Sequence, residues 1–328
     1  MLTAHHAPAL VQVIIPTSLI YAQGIEVIVT ALASVLVSLG ALWYFRRVRL
    51  ERPPVGLFNG RDIVTLLVFV LALPFLYAAL PQWALTCFLA LTFASSLSIG
   101  YRPVVGTLGV WLGIGLLIGL NIWTSRTLEG STGGWQLWWA ELDVMVILGA
   151  IAVANLYVQG GMKLKHVAWF ALGLGVYDII FTTGAIPITN KLVEEFLGAP
   201  LDPSVGMRFG LDNFAIGIGD LLVYGMFMVA CYKAYGRKAA QLAFALVVLM
   251  GAVVPNLFPL VVNFIDQRHD VAVPDQAFFG PVIMLCYLWL RHRYGRERTM
   301  AEYWASADAA PRAAGSPQSV PASEPVRV

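Results

Sequence analysis

Runs of about 20 consecutive apolar residues, the length a helix needs to cross a bilayer, recur along the whole chain and leave little room for any other architecture. Nine can be drawn, at about 25–45, 63–80, 83–99, 103–123, 139–158, 167–186, 211–232, 239–262 and 276–290. With 59% hydrophobic and 12% charged residues, the composition lies outside the range of a soluble globular domain. The pattern predicts an all-α, polytopic membrane protein with about nine transmembrane helices. A net charge of only +2, with basic residues held in short clusters between apolar runs, argues against nucleic-acid binding. Cys87, Cys231 and Cys286 all fall inside apolar runs, so they read as packing residues rather than a disulfide framework or metal site.

The loops give an orientation. One set of alternate loops collects fifteen Lys and Arg residues and leaves only Arg126, Lys191, Arg208 and Arg268 on the other. Positive charge marks the cytoplasmic side, which places the N-terminus outside, the C-terminus in the cytoplasm and the loop between the sixth and seventh runs outside. The opening MLTAHHAPAL lacks the basic region of a signal peptide and is expected to be mature. No N-x-S/T sequon occurs, in keeping with a prokaryotic cell membrane. Three parts are expected: a five-helix scaffold over residues 1–166, a four-helix core over 167–298, and a disordered cytoplasmic tail, rich in Ala, Pro and Ser, over 299–328.

Finer expectations follow from single residue types. Gly109, Gly113, Gly115 and Gly119 should form a close-packing helix face. Trp135, Trp138 and Trp139 should mark a membrane interface, with Glu141 and Asp143 beside it, either solvated or in a supporting role rather than catalytic. Pro255 and Pro259 should kink the eighth run, and Lys191–Leu197 should be amphipathic.

Two residues break the apolar pattern where it matters most. Asp178 in the sixth run and Asp220 in the seventh are carboxylates well inside spans of membrane-crossing length. Such a residue costs roughly 2.5–3.5 kcal/mol on insertion scales, so it should face protein or water, find a partner and serve a purpose. Counted as helix, both lie roughly 12–14 Å below the outer surface at about 1.5 Å per residue. Consecutive antiparallel spans are expected to be neighbours, so the two can meet. A pair at close range cannot readily ionise twice, because like charge and desolvation each favour a proton on one member. The result is an acid and a base in one site, suited to metal-free hydrolysis of a peptide bond without a covalent intermediate.

Tyr177-Asp178 and Gly217-Ile218-Gly219-Asp220, in consecutive spans of a nine-span chain, resemble the motifs of the presenilin and signal peptide peptidase family of intramembrane aspartyl proteases. The resemblance covers about 167–290 and implies catalytic roles for Asp178 and Asp220, with active-site shaping by Tyr177, Gly217, Ile218 and Gly219. It further implies substrates that are transmembrane helices or signal-peptide remnants, within the lipid bilayer, and no cofactor or metal. The outside N-terminus is similar to the signal peptide peptidase branch. One motif departs: where the family has Pro-Ala-Leu in the last span, this chain has Gln276-Ala277-Phe278, flanked by Pro274 and Pro281. A prepilin peptidase would call for Lys two residues after the Asp, and that position is Leu222. Two other readings stay open: a proton-coupled transporter or channel using the pair as a relay, and a structural role in helix packing. The sequence leaves natural substrate and oligomeric state undetermined.

Overall fold

The structure, a computed structural model, describes residues 17–50, 58–127, 131–182, 199–209, 212–258, 261 and 274–309. In chain order come α1 (Thr17–Arg47), α2 (Gly60–Ala79), α3 (Gln82–Thr127), α4 (Thr132–Gln159), α5 (Leu164–Thr182), the strands β1 (Ser204–Phe209) and β2 (Asp212–Gly217), then α6 (Ile218–Tyr235), α7 (Arg237–Leu246), α8 (Asp275–Tyr294) and α9 (Met300–Trp304). Among the described residues, six helices are long and apolar enough to cross a membrane: most of α1, α2, α3, most of α4, most of α5, and Arg237–Phe258, which begins as α7. The described chain is mostly helical, as the apolar runs predict.

α6 is the hub. Every residue from Val223 to Ala234 is buried, so this helix is enclosed on all sides, as an apolar helix in the middle of a bundle must be. α1 and α4 close on it at Gly225, where an added Cβ would stand 3.1 Å from Ala154 and 3.2 Å from Val37. On the periphery, only 11% of the apolar windows of α2 and α3 is buried against 56% for α4, leaving an outer apolar surface that suits a lipid environment.

α5 and α8 meet backbone to backbone. A Cβ on Gly175 would lie 2.7 Å from the Gln276 carbonyl oxygen, and one on Gly280 would lie 2.6 Å from that of Ala171. Residue numbers rise on one helix as they fall on the other, so the pair is antiparallel and tight only because both positions lack side chains.

Several expectations need correction. The seventh run does not begin as a helix: Asp212–Gly217 is β2, paired antiparallel with β1 from Ser204↔Gly217 to Phe209↔Asp212, and the all-α reading must admit this hairpin. Its residues satisfy their backbone groups in a ladder, so the depth estimate based on helical rise does not apply to Asp220. The third and fourth runs are not separated at Pro103, which lies inside α3; the break is at Gly106, whose φ of 74° is accessible to glycine. Gly113, Gly115 and Gly119 face open space among the described residues, with nothing within 4 Å of an added Cβ, so the expected close-packing face is unused there. Trp138 and Trp139 are buried in the core.

Only the first part of the tail expected to be disordered from 299 onward departs from that expectation: Met300–Trp304 forms α9, with Thr299 and Glu302 in a reciprocal capping box and Tyr303 buried with its ring 4.8 Å from that of Phe45, while residues 310–328 lie outside the described residues. The eighth run does depart from regular helix, but as a π-helical turn over Val247–Val253 just before Pro255. Pro255 has no N–H to offer the Gly251 carbonyl, and that carbonyl accepts the Tyr224 hydroxyl at 2.7 Å instead. Pro259 and Lys191–Leu197 lie outside the described residues.

Replacing Gly280 with Leu forces the α5 and α8 backbones apart and should cost ~1–3 kcal/mol or more. Thermal melting in detergent should show a drop of several degrees for Gly280→Leu, and no loss for Gly113→Leu, where an added Cβ meets no described atom within 4 Å. Equal melting of the two variants would contradict the close approach.

Candidate active site

The site forms where α5 ends and where α6 and α8 begin. Asp178 lies in the last turns of α5, Asp220 is the third residue of α6, and Gln276 is the second residue of α8. Helix starts carry backbone N–H groups that have no partner within the helix, and a carboxylate nearby is the natural acceptor. The Gln276 N–H is one of these, and it donates to Asp178 Oδ2 at 2.9 Å. The side chain of the same residue reaches the other carboxylate: Gln276 Nε2 donates to Asp220 Oδ1 at 2.7 Å. One residue therefore binds both aspartates, and they are close enough to interact electrostatically.

The surroundings shape this arrangement. Gln276 is 2% exposed, and its Oε1 has no hydrogen-bond partner among the described residues. Buried amide oxygens are rarely left so, which makes this atom an available acceptor at the centre of the site. Pro274 precedes α8 with φ −76°, and Asp275 follows at the first helical position, where a carboxylate suits the helix dipole. Asp275 is within electrostatic reach of both Asp178 and Asp220, adding a third carboxylate that the motifs did not single out. Among the described residues, no cluster of three or more His, Cys, Asp or Glu side chains is placed to hold a metal ion.

The other predicted residues divide into those at the pair and those packing beside it. Gly217 is the extended residue before α6, and a Cβ there would approach Asp220 Oδ2 to 3.5 Å. Ile218 donates its N–H to the Pro203 carbonyl at 2.8 Å, tying the start of α6 to the residue before β1. At Gly219 no described atom lies within 4 Å of an added Cβ, so the backbone beside Asp220 is open. Ala277 Cα would be 3.4 Å from a Cβ on Gly175, which makes it part of the tight α5–α8 contact. Tyr177 stacks its ring 4.6 Å from Phe181, and Phe278 sits 5.0 Å from Phe258.

Asp143 has a role its position in the sequence did not reveal. Its Oδ1 accepts the Gly206 N–H of β1 at 2.8 Å, so a carboxylate on α4 anchors the hairpin that leads into Asp220. The sequence expectation of a supporting role is refined to a specific bond. Glu141 on the same helix is 8% exposed and accepts from the Thr124 hydroxyl, away from the pair.

At the opposite end of α5 and α6, two adjacent residues after α8 hold the helix termini. Glu297 Oε2 accepts the Leu164 N–H at 2.7 Å, at the start of α5. Arg298 donates to the carbonyls of Tyr232, Lys233 and Ala234 at 3.2, 3.0 and 3.3 Å, in the last turn of α6. Each charge has the sign its helix end favours.

No protein-family model matches the sequence, and no curated protein is significantly similar to it.

Asp143→Asn keeps the oxygen that accepts the Gly206 N–H and should leave the hairpin in place. Asp143→Leu removes it and should cost ~1–3 kcal/mol, with faster amide exchange at Gly206. Unchanged exchange at Gly206 in the Leu variant would show that the bond does not hold the hairpin.

Proposed function

We propose that the protein is an intramembrane aspartic endopeptidase that hydrolyses peptide bonds in transmembrane helices or signal-peptide remnants, with Asp178 and Asp220 as the catalytic pair. The observation that carries the reading is the bridge made by Gln276, whose backbone and side-chain amides each bind one carboxylate. Asp178 Oδ1 and Asp220 Oδ2 are left unengaged by that bridge and are the atoms available to a water and a carbonyl. Nine spans, an outside N-terminus and a prokaryotic cell membrane belong to the same proposal.

The chemistry needs one ionised and one protonated carboxyl group. The ionised Asp removes a proton from water as the water oxygen attacks the carbonyl carbon, and the protonated Asp gives its proton to the carbonyl oxygen. A neutral gem-diol results, with the two protonation states exchanged. In the second step one hydroxyl of the diol returns its proton, the C–N bond breaks, and the amine nitrogen takes up a proton from the other Asp. No atom is left over and neither carboxylate is consumed. The two apparent pKa values of such a site belong to the pair rather than to either residue.

Access is the second requirement. A peptide bond inside a substrate helix is hydrogen-bonded and shielded, so the helix must unwind locally before it can be cut. Among the described residues nothing crowds Gly219, which leaves room for an extended segment beside Asp220.

The test is incubation of purified protein with a labelled transmembrane peptide, followed by mass spectrometry of the products. Asp178→Ala and Asp220→Ala should each lower the rate by at least ~10²–10⁴-fold while leaving the melting transition in place. Substantial turnover by either folded variant would end the dyad reading, and absence of products with proton movement into liposomes would point to a transporter.

Rate against pH should trace a bell, unaffected by chelators. Gly or Pro in the substrate helix near the scissile bond should speed cleavage, and a run of Leu there should slow it. Equal rates for both substrates would mean that unwinding does not limit turnover.

A further inference from the structure

A second site lies on the side of the bundle away from the aspartates. A cleft of about 510 Å³ opens between the C-terminal end of α1, the C-terminal half of α6, the start of α7 and the residues after α9. Its polar lining is Arg46, Tyr232, Arg237, Gln241 and Asp308, and its apolar lining includes Leu39, Leu42, Met228 and Phe244. The single acid is already occupied, because Arg298 Nη1 holds Asp308 Oδ2 at 2.7 Å. Arg46 and Arg237 form no ion pair with a described carboxylate. Arg46 instead lies over the Tyr232 ring at 5.8 Å, a contact that steadies a guanidinium without neutralising it.

Two guanidinium groups at one cleft, neither ion-paired to a described carboxylate, fit an anion with several oxygens, since each can bind phosphate through parallel N–H donors. The apolar part of the cleft decides which phosphate. Leu39 is exposed, and Leu36 and Leu32 continue the same exposed stripe up α1 at helical spacing, away from the arginines. A free phosphate has no use for that stripe, whereas an acyl chain lies along it while its headgroup meets the arginines. Basic pockets between membrane helices bind anionic headgroups by this combination.

We propose that this cleft binds an anionic phospholipid, its phosphate held by Arg46 and Arg237 and an acyl chain lying against Leu39, Leu36 and Leu32. The experiment uses the full chain purified in a neutral detergent, with phosphatidylglycerol, phosphatidylcholine and inorganic phosphate as separate probes. Native mass spectrometry should show saturable retention of phosphatidylglycerol, and the melting temperature should rise with it alone. The double variant Arg46→Gln/Arg237→Gln should retain phosphatidylglycerol roughly tenfold less well. Arg61→Gln/Arg293→Gln, which removes as much charge elsewhere on the surface, should bind like the parent. Melting without lipid shows whether each variant is folded. If Arg46→Gln/Arg237→Gln does not fold, the single Arg237→Gln variant is compared, with weaker retention again expected. Equal retention of phosphatidylcholine, stabilisation by inorganic phosphate alone, or parent-like binding by a folded cleft variant would each overturn the proposal.

Discussion

The site depends on a contact between two backbones. Gly175 and Gly280 allow α5 and α8 to approach until carbonyl oxygens stand where side chains would otherwise be. At that distance the unpaired N–H at the second position of α8 reaches Asp178, and the Gln276 side chain is carried across to Asp220. A larger residue at either glycine would move α8 outward, and both hydrogen bonds would lengthen together.

A helix crowded with apolar residues tolerates a carboxylate only where the surroundings supply donors. Asp220 sits in the first turn of α6, where the dipole favours negative charge, and accepts from the Gln276 side chain. Asp178 has the harder position, near the C-terminal end of α5 where the dipole opposes negative charge, and it receives its donor from another helix. The two carboxylates therefore differ in environment. That asymmetry is what a division into acid and base requires.

Much of the architecture is legible in the sequence because apolar length and charge spacing are local properties. The long runs, the two interrupting aspartates and the departure at Gln276 can all be read without knowing what touches what. The hairpin could not be read so, because Asp212–Gly217 is apolar enough to continue a helix and becomes a strand only by pairing with Ser204–Phe209. The glycines of α3 misled for the complementary reason: small residues permit close contact without supplying a partner. The bridging role of Gln276, the anchoring by Asp143 and the place of Asp275 are all long-range facts. An unmatched motif signals that a position differs, and only geometry tells what the new side chain does.

The Glu297–Arg298 pair fixes something the membrane cannot. Lipid holds helices upright but exerts little control over how far one slides along another. A carboxylate on the first turn of α5 and a guanidinium on the last turn of α6, carried by neighbouring residues, set the axial alignment of the two helices from the far end. Sliding α6 by one residue moves Asp220 by about 1.5 Å, enough to break a hydrogen bond to Gln276. The segment after α8 thus works as a vernier, keeping two distant side chains in step from the opposite end of the helices that carry them.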